Sequence, residues 1–224
     1  MDAVIVYLLP LIVGAALLPA WIIIALFLLR GEGGVRKALA FAAGALLVRL
    51  VQGVLFGYVF GAAADTYGES GSNLITSTLL LVVGIVMLIS AATKWRKEAD
   101  PDAPPPKWMA VLGGLSALRA FGIGALLMAI SIKQWVFTLS AIAVIEQAQL
   151  SHTGNVLAYL LFVLAAQSLV LAPIFVSAVA PTRAARMLDA MQGWLERNSR
   201  VIVTAVLLIF GVWLLGKGIA GLIG

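Results

Sequence analysis

The chain has no cysteine, which excludes disulfides, thiolate nucleophiles and cysteine-bearing metal sites. Its single histidine, His152, stands in a short connecting stretch beside Glu146, with no second imidazole or acid spaced for a metal. No nucleophile, base and orienting group fall into a recognisable set, so the chain is not expected to be an enzyme. Arg30-Gly-Glu-Gly-Gly lacks the spacing of a phosphate-binding loop, and no cofactor is expected. Charged residues make up only 11% of the 224 positions, too little polar material to cover a soluble globule of that size. The scarcest feature is the most telling one: no Asp or Glu falls inside any long apolar run.

What is present is apolar residue, at 62% of the chain with a mean hydropathy of +1.09. A membrane-spanning helix needs about 20 such residues, and six stretches qualify, at roughly 3–29, 38–63, 73–93, 120–145, 154–180 and 201–223. A transmembrane β-barrel would show short alternating segments in place of these unbroken runs. The fold class expected is therefore an all-α integral membrane protein. Met1-Asp2 lacks the basic start of a signal peptide, and the first run is read as the first span.

Lys and Arg set the expected orientation. Arg30, Arg36 and Lys37 follow the first run; Lys94, Arg96, Lys97, Lys107 and Arg119 lie between the third and fourth; Arg183, Arg186, Arg197 and Arg200 lie between the fifth and sixth. The stretches around 65–72 and 146–153 contain neither residue. By the positive-inside rule both termini are expected outside the cytoplasm. The net charge of +5 then faces anionic membrane lipid and carries no implication of nucleic acid.

Three spans, a linker and three more spans describe the chain: residues 1–93, a Pro-rich cytoplasmic linker at 94–116 and residues 117–224. Asp100 to Pro106 should be an extended, solvated spacer. Because three is odd, the halves enter the membrane from opposite sides, the arithmetic of an inverted repeat with a substrate site at the midplane. Sequence likeness between the halves is weak, as Gly14 to Trp21 against Gly124 to Trp135 shows. Residues 182–199 carry Met187, Leu188, Met191, Trp194 and Leu195 at helical spacing between arginines, the pattern of a cytoplasmic interfacial helix or of a connector covering the bundle. Lys217 is expected to snorkel outward.

Two cations lie deep in apolar runs, Arg49 in the second and Lys133 in the fourth. Each costs roughly 2.5–3.5 kcal/mol on insertion scales, so a partner or a task is required. Arg49 shares a stripe with Ala45, Gly53, Gly57 and Gly61, a face where another helix approaches closely, and so points into protein. At similar depth lie Gln52, Ser131, Gln134 and Gln167 as hydrogen-bonding groups, with Pro19 and Trp21 as a cavity wall. With no embedded carboxylate, either backbone carbonyls and glutamines satisfy the cations, or they form a pocket for an anionic head group, with Arg as a bidentate fork and Lys as a point charge. The missing carboxylates also argue against a carboxylate proton relay and against a cationic substrate.

The Leu-Leu-Pro of 17–19, the basic Arg36-Lys37-Ala-Leu-Ala-Phe approach to the second span, Arg119-Ala-Phe-Gly-Ile-Gly, and the closing Trp194-Leu-Glu-Arg-Asn and Leu207-Leu-Ile-Phe-Gly-Val-Trp-Leu-Leu-Gly-Lys-Gly together resemble the GAP family. These are peptidoglycolipid exporters and sulfolipid-addressing proteins of the lysine-exporter superfamily. The resemblance covers nearly the whole chain and implies movement of an anionic envelope lipid or glycolipid, or its precursor, between leaflets. Where the family commonly has Asn-Pro-Lys, this chain has Ser131-Ile132-Lys133. The lysine carries over; the asparagine and the helix-breaking proline do not, and the residues give no basis for a broken fourth span. Partners expected are the anionic lipid and the surrounding membrane lipids, with a homodimer or an envelope-lipid biosynthesis protein as the protein partner. Efflux of a small water-soluble solute, as in amino-acid exporters, and a non-transporting accessory subunit are the alternative functions.

Overall fold

A computed structural model describes residues 2–96 and 114–223, with side chains described outside 2–3, 60–61, 63–73, 75, 181–186 and 196. The secondary structure of the described residues is helical: α1 Asp2–Ala16, α2 Pro19–Arg30, α3 Gly34–Arg96, α4 Ala117–Ile130, α5 Ile132–Gln147, α6 His152–Val179 and α7 Pro181–Ile223. Four segments are long and apolar enough to cross a membrane, Gly34–Val59, Thr76–Arg96, His152–Val179 and Arg197–Ile223. Two bent pairs, Val4–Ala16 with Pro19–Arg30 and Ala117–Ile130 with Ile132–Gln147, bring the number to six if each pair is one span. The chain is thus a multi-pass membrane protein. Most of the linker expected at 94–116 lies outside the described residues.

The first apolar run is broken by 53°. Pro19 is the cause: it stands at the first position of α2, lacks an N–H and drives the preceding Leu18 into an extended conformation at φ −78°, ψ 103°. The fourth run is broken more sharply, by 69°, at Ser131 with φ −76°, ψ 97°. No proline is involved, and this break replaces the single run expected over 120–145. Trp135 takes up part of its cost by donating its indole N–H to the Ala129 carbonyl at 2.6 Å.

Helical hydrogen bonding runs unbroken through 65–72, where a loop was expected between the second and third spans. A straight helix of 63 residues would be about 95 Å long. Yet Arg30, just before α3, pairs with Asp189, and Trp95, near its end, accepts a hydrogen bond from Arg200 on the same helix as Asp189. Those contacts place the two ends of α3 within roughly 40 Å of each other. α3 therefore turns back between Val59 and Thr76, and its two spans run in opposite directions. At its start, Gly33 at φ +64° makes the left-handed turn out of α2.

The second span in α3 lies antiparallel along α7. Cβ atoms built on the α7 glycines show the register: Gly221 against Ser77, Gly218 against Leu81 and Gly211 against Leu88. The first span in α3 crosses α4 at a still closer point. A Cβ on Gly44 would stand 2.1 Å from the Phe121 carbonyl oxygen, and one on Gly124 2.0 Å from that of Phe41. On the expected stripe, Gly53 is closely approached by Tyr159 of α6, whereas a Cβ on Gly57 would meet nothing within 4 Å.

α7 continues without interruption from the stretch expected as an interfacial helix into the last span. Leu188, Gln192 and Leu195 are buried and Met191 half-buried, whereas Met187 and Trp194 face outward. The five apolar residues grouped by spacing are thus divided between two faces. Arg30 ties this segment to the end of α2 through its 2.5 Å bond to Asp189.

The glycine crossing makes a direct stability prediction. Gly44→Ala and Gly124→Ala should each lower stability by about 1–3 kcal/mol, or roughly 2–12 °C in Tm, because the helices must separate. Gly57→Ala should leave Tm unchanged, and thermal unfolding of the purified chain in detergent reads all three.

Candidate functional site

The inward face of the first span in α3 runs through Phe41, Ala42, Ala45, Arg49 and Gln52, spaced alternately by helical turns and all buried. Arg49 is 1% exposed, the largest fully buried side chain described. Its guanidinium donates to the amide oxygen of Gln134, in the first turn of α5 just past the Ser131 break. It also lies over the ring of Phe162 on α6, 5.6 Å from the centroid. Tyr159, one turn earlier on α6, donates its hydroxyl to the Arg49 carbonyl at 2.5 Å. Gly53 makes room for that tyrosine, since a Cβ there would fall 2.1 Å from its ring. One side chain thus joins α3, α5 and α6.

The protein satisfies this cation only in part. The Nε and one terminal nitrogen of Arg49 have no hydrogen-bond partner, nor do both amide atoms of Gln52, one turn further along. The buried hydroxyls of Thr138 and Ser140 on α5 are likewise unpartnered. Leaving such groups unmet normally costs about 1–3 kcal/mol each, so their concentration here sets the region apart from the apolar core around it. Among the described residues the one salt bridge, Arg30 with Asp189, is far down the bundle, and no carboxylate compensates Arg49.

Lys133 is half-buried one residue before Gln134. Lys94, near the end of α3, is close enough to repel it electrostatically. The first backbone bond of α5 runs from the Trp135 N–H to the Ser131 carbonyl at 3.0 Å. The N–H groups of Ile132, Lys133 and Gln134 therefore leave the helix end without helical acceptors, and the Ser131 side chain makes no cap bond. The two cations flank a helix N-terminus whose dipole adds further positive potential.

The remaining residues expected at this depth lie lower on the same face of α3. Gln167 of α6 donates to the Ala42 carbonyl at 3.1 Å, and Trp21 of α2 packs on Phe41 with ring centroids 5.5 Å apart, two residues after Pro19. From Ala42 to Arg49 is about 11 Å along the helix. The structure thus brings Arg49, Gln52 and Gln134 together, puts Ser131 and Lys133 at the break beside them, and sets Pro19, Trp21 and Gln167 two turns away. Tyr159, Phe162 and Ser140 were not singled out in the sequence, whereas Thr138 shares the inward face expected for Gln134 and Ala141 and is buried. The spacing of Tyr159, Phe162, Ala166 and Val170 on one helical face, shared with Gln167, is the signal that finds the first two. Among the described residues no cluster of three His, Asp or Glu side chains is placed for a metal ion.

Such a centre has donors and positive charge, which suit recognition of an anion. A family model described as Sap, sulfolipid-1-addressing protein, matches residues 8–220. The chain belongs to that family. The match runs from α1 into the last turns of α7 and contains every residue of the centre. This sulfolipid-addressing family member is therefore a membrane protein of a family linked to sulfolipid export. No curated protein and no solved structure matches the chain significantly.

The Arg49–Gln134 contact can be tested by a double-mutant cycle in this family member. Gln134→Leu should destabilise the protein by about 3–5 kcal/mol by stranding the guanidinium, and adding Arg49→Leu should recover much of the loss. A coupling below about 0.5 kcal/mol in detergent unfolding would show that the two act independently.

Proposed function

We propose that this chain moves an anionic envelope lipid or glycolipid, with a sulfate- or phosphate-like head group, from the cytoplasmic to the outer leaflet of a bacterial inner membrane. The observation that carries the reading is the pairing of Arg49 with Gln134 at the Ser131 break, next to Lys133 and without any carboxylate. Arg49 offers hydrogen-bonding forks and Lys133 a point charge. Gln52, Gln134 and Ser131 supply further polar contacts, while Pro19, Trp21 and Gln167 line the path towards the basic end. The family description, which names a sulfolipid, agrees with a negatively charged amphiphile.

Several features support alternating access by two inverted halves. The first span of each half is the broken one, at Pro19 and at Ser131, and the third span of each half pairs antiparallel with the other. Broken helices at the midplane are the usual ion and substrate sites of inverted-repeat transporters. The loop arginines place both termini outside by the positive-inside rule. On that orientation the outward-facing Met187 and Trp194 of α7 lie in the cytoplasmic interface, against the leaflet from which substrate comes. The burial of Arg49 at 1% exposure then corresponds to an occluded arrangement.

The test is reconstitution of the purified chain in vesicles with a fluorescent anionic lipid and a zwitterionic analogue. The wild type should translocate the anionic lipid, and Lys133→Ala and Arg49→Ala should each reduce that rate by about tenfold or more while remaining inserted. Full activity in both variants removes the pocket. Absence of translocation by the wild type supports the accessory-subunit reading, and transport of a water-soluble solute without lipid movement supports solute efflux.

A further inference from the structure

At the end of the bundle that carries both termini lies a cavity of about 380 Å³. It is formed where the start of α1, the second span of α3, the end of α5 and the last turns of α7 converge, and so involves both halves of the chain. Most of its wall is apolar, including Val4, Leu80 and Leu214. Tyr7, Gln147, Trp213 and Lys217 are the lining residues that carry polar side-chain groups. From Gln134 to Gln147 along α5 is about 20 Å, so this cavity is separate from the Arg49 centre.

Lys217 is exposed, and its Nζ lies 4.2 Å from the centroid of the Tyr7 ring at the cavity. Among the described residues it has no carboxylate partner: Glu146, next to Gln147 in sequence, accepts instead from Asn155 at 3.4 Å. Lys217 is six residues from Ile223, about 9 Å below the end of the last span, the depth at which lipid head groups meet acyl chains. A cation at that depth, beside an apolar cavity within the usual size of ligand pockets, has the complementarity of an anionic amphiphile.

We propose that this cavity is a second lipid-binding site, which takes the anionic head group and first acyl carbons of a lipid in the leaflet at the termini end. Lys217 holds the negative charge, Gln147 and Tyr7 hydrogen-bond its oxygens, and the Val4, Leu80 and Leu214 wall covers the upper chain. The proposed transport enters only in naming that leaflet the outer one and the site an exit site. Equilibrium binding here stands or falls independently of translocation.

The absence of native cysteine allows a local reporter. Leu150→Cys places one thiol on the cavity wall of the full-length chain, and Val144→Cys provides a second reporter if the first fails to fold. The measurement is the maleimide alkylation rate in detergent, with dioctanoyl phosphatidylglycerol, dioctanoyl phosphatidylcholine or inorganic phosphate added. Phosphatidylglycerol should slow alkylation roughly fivefold more than phosphatidylcholine, the factor that one lysine near an anionic surface contributes. Lys217→Ala should abolish that difference and Lys217→Arg should keep it. Equal protection by the two lipids, or a preference that survives in Lys217→Ala, overturns the proposal. Protection by inorganic phosphate alone would make this a site for a free anion and overturn the lipid assignment.

Discussion

The structure depends on how a guanidinium is held in the middle of a bilayer without a carboxylate. In water a lone arginine is unremarkable; in hydrocarbon it must be surrounded by protein, and each of its donors needs an acceptor. Arg49 meets part of this requirement with a glutamine amide oxygen and the face of Phe162, while Tyr159 ties down its backbone carbonyl. The contacts come from two helices, α5 and α6. The geometry of α3 against α5 and α6 is therefore set by one charge, and Gly53 is small because Tyr159 must pass close to reach it.

Much of this was legible before any coordinates. Composition and run length fixed a helical membrane protein, and the spacing of Ala45, Arg49 and Gly53 pointed Arg49 into protein. Those are properties of single helices, and a helix's own residues determine them. Properties that depend on two helices were less visible. The α3–α4 crossing at Gly44 and Gly124 is made of one glycine from each partner, and neither alone differs from glycines that pack against nothing, such as Gly57. The grouping of Met187 and Trp194 with Leu188 and Leu195 shows the same limit: hydrophobicity places residues on an apolar face, but only the neighbour decides which part of that face is covered.

Depth along a span was also only partly readable. Counting from span centres put Gln167 level with Arg49, and Pro19 and Trp21 a little to the cytoplasmic side, whereas Gln167 bonds Ala42 and Trp21 stacks on Phe41, both about two turns away. The bends of 53° and 69° are the physical reason, because residue counts measure depth only along straight helices. Continuous helical bonding through 65–72 is a related case. Asp65, Tyr67, Gly68 and Ser70 have the composition of a turn, and the reversal does fall between Val59 and Thr76, but the local hydrogen bonds remain helical.

The two breaks differ in what maintains them. At Pro19 the missing N–H makes a continuous helix impossible, so the break is written into the covalent chain. Between Leu127 and Trp135 every residue has an N–H, and an unbroken helix would satisfy all of them. Tertiary contacts must hold that break instead. Three converge within four residues of Ser131: the Trp135 indole on the Ala129 carbonyl, Phe56 edge-on to the Trp135 ring at 5.4 Å, and Arg49 on Gln134. Two of the three come from the first span of α3. The fourth span is bent because the second span holds it so, and this explains how a run with Ile132 and no proline at the break still presents a half-helix N-terminus, with Lys133 in its first turn, in the middle of the bundle.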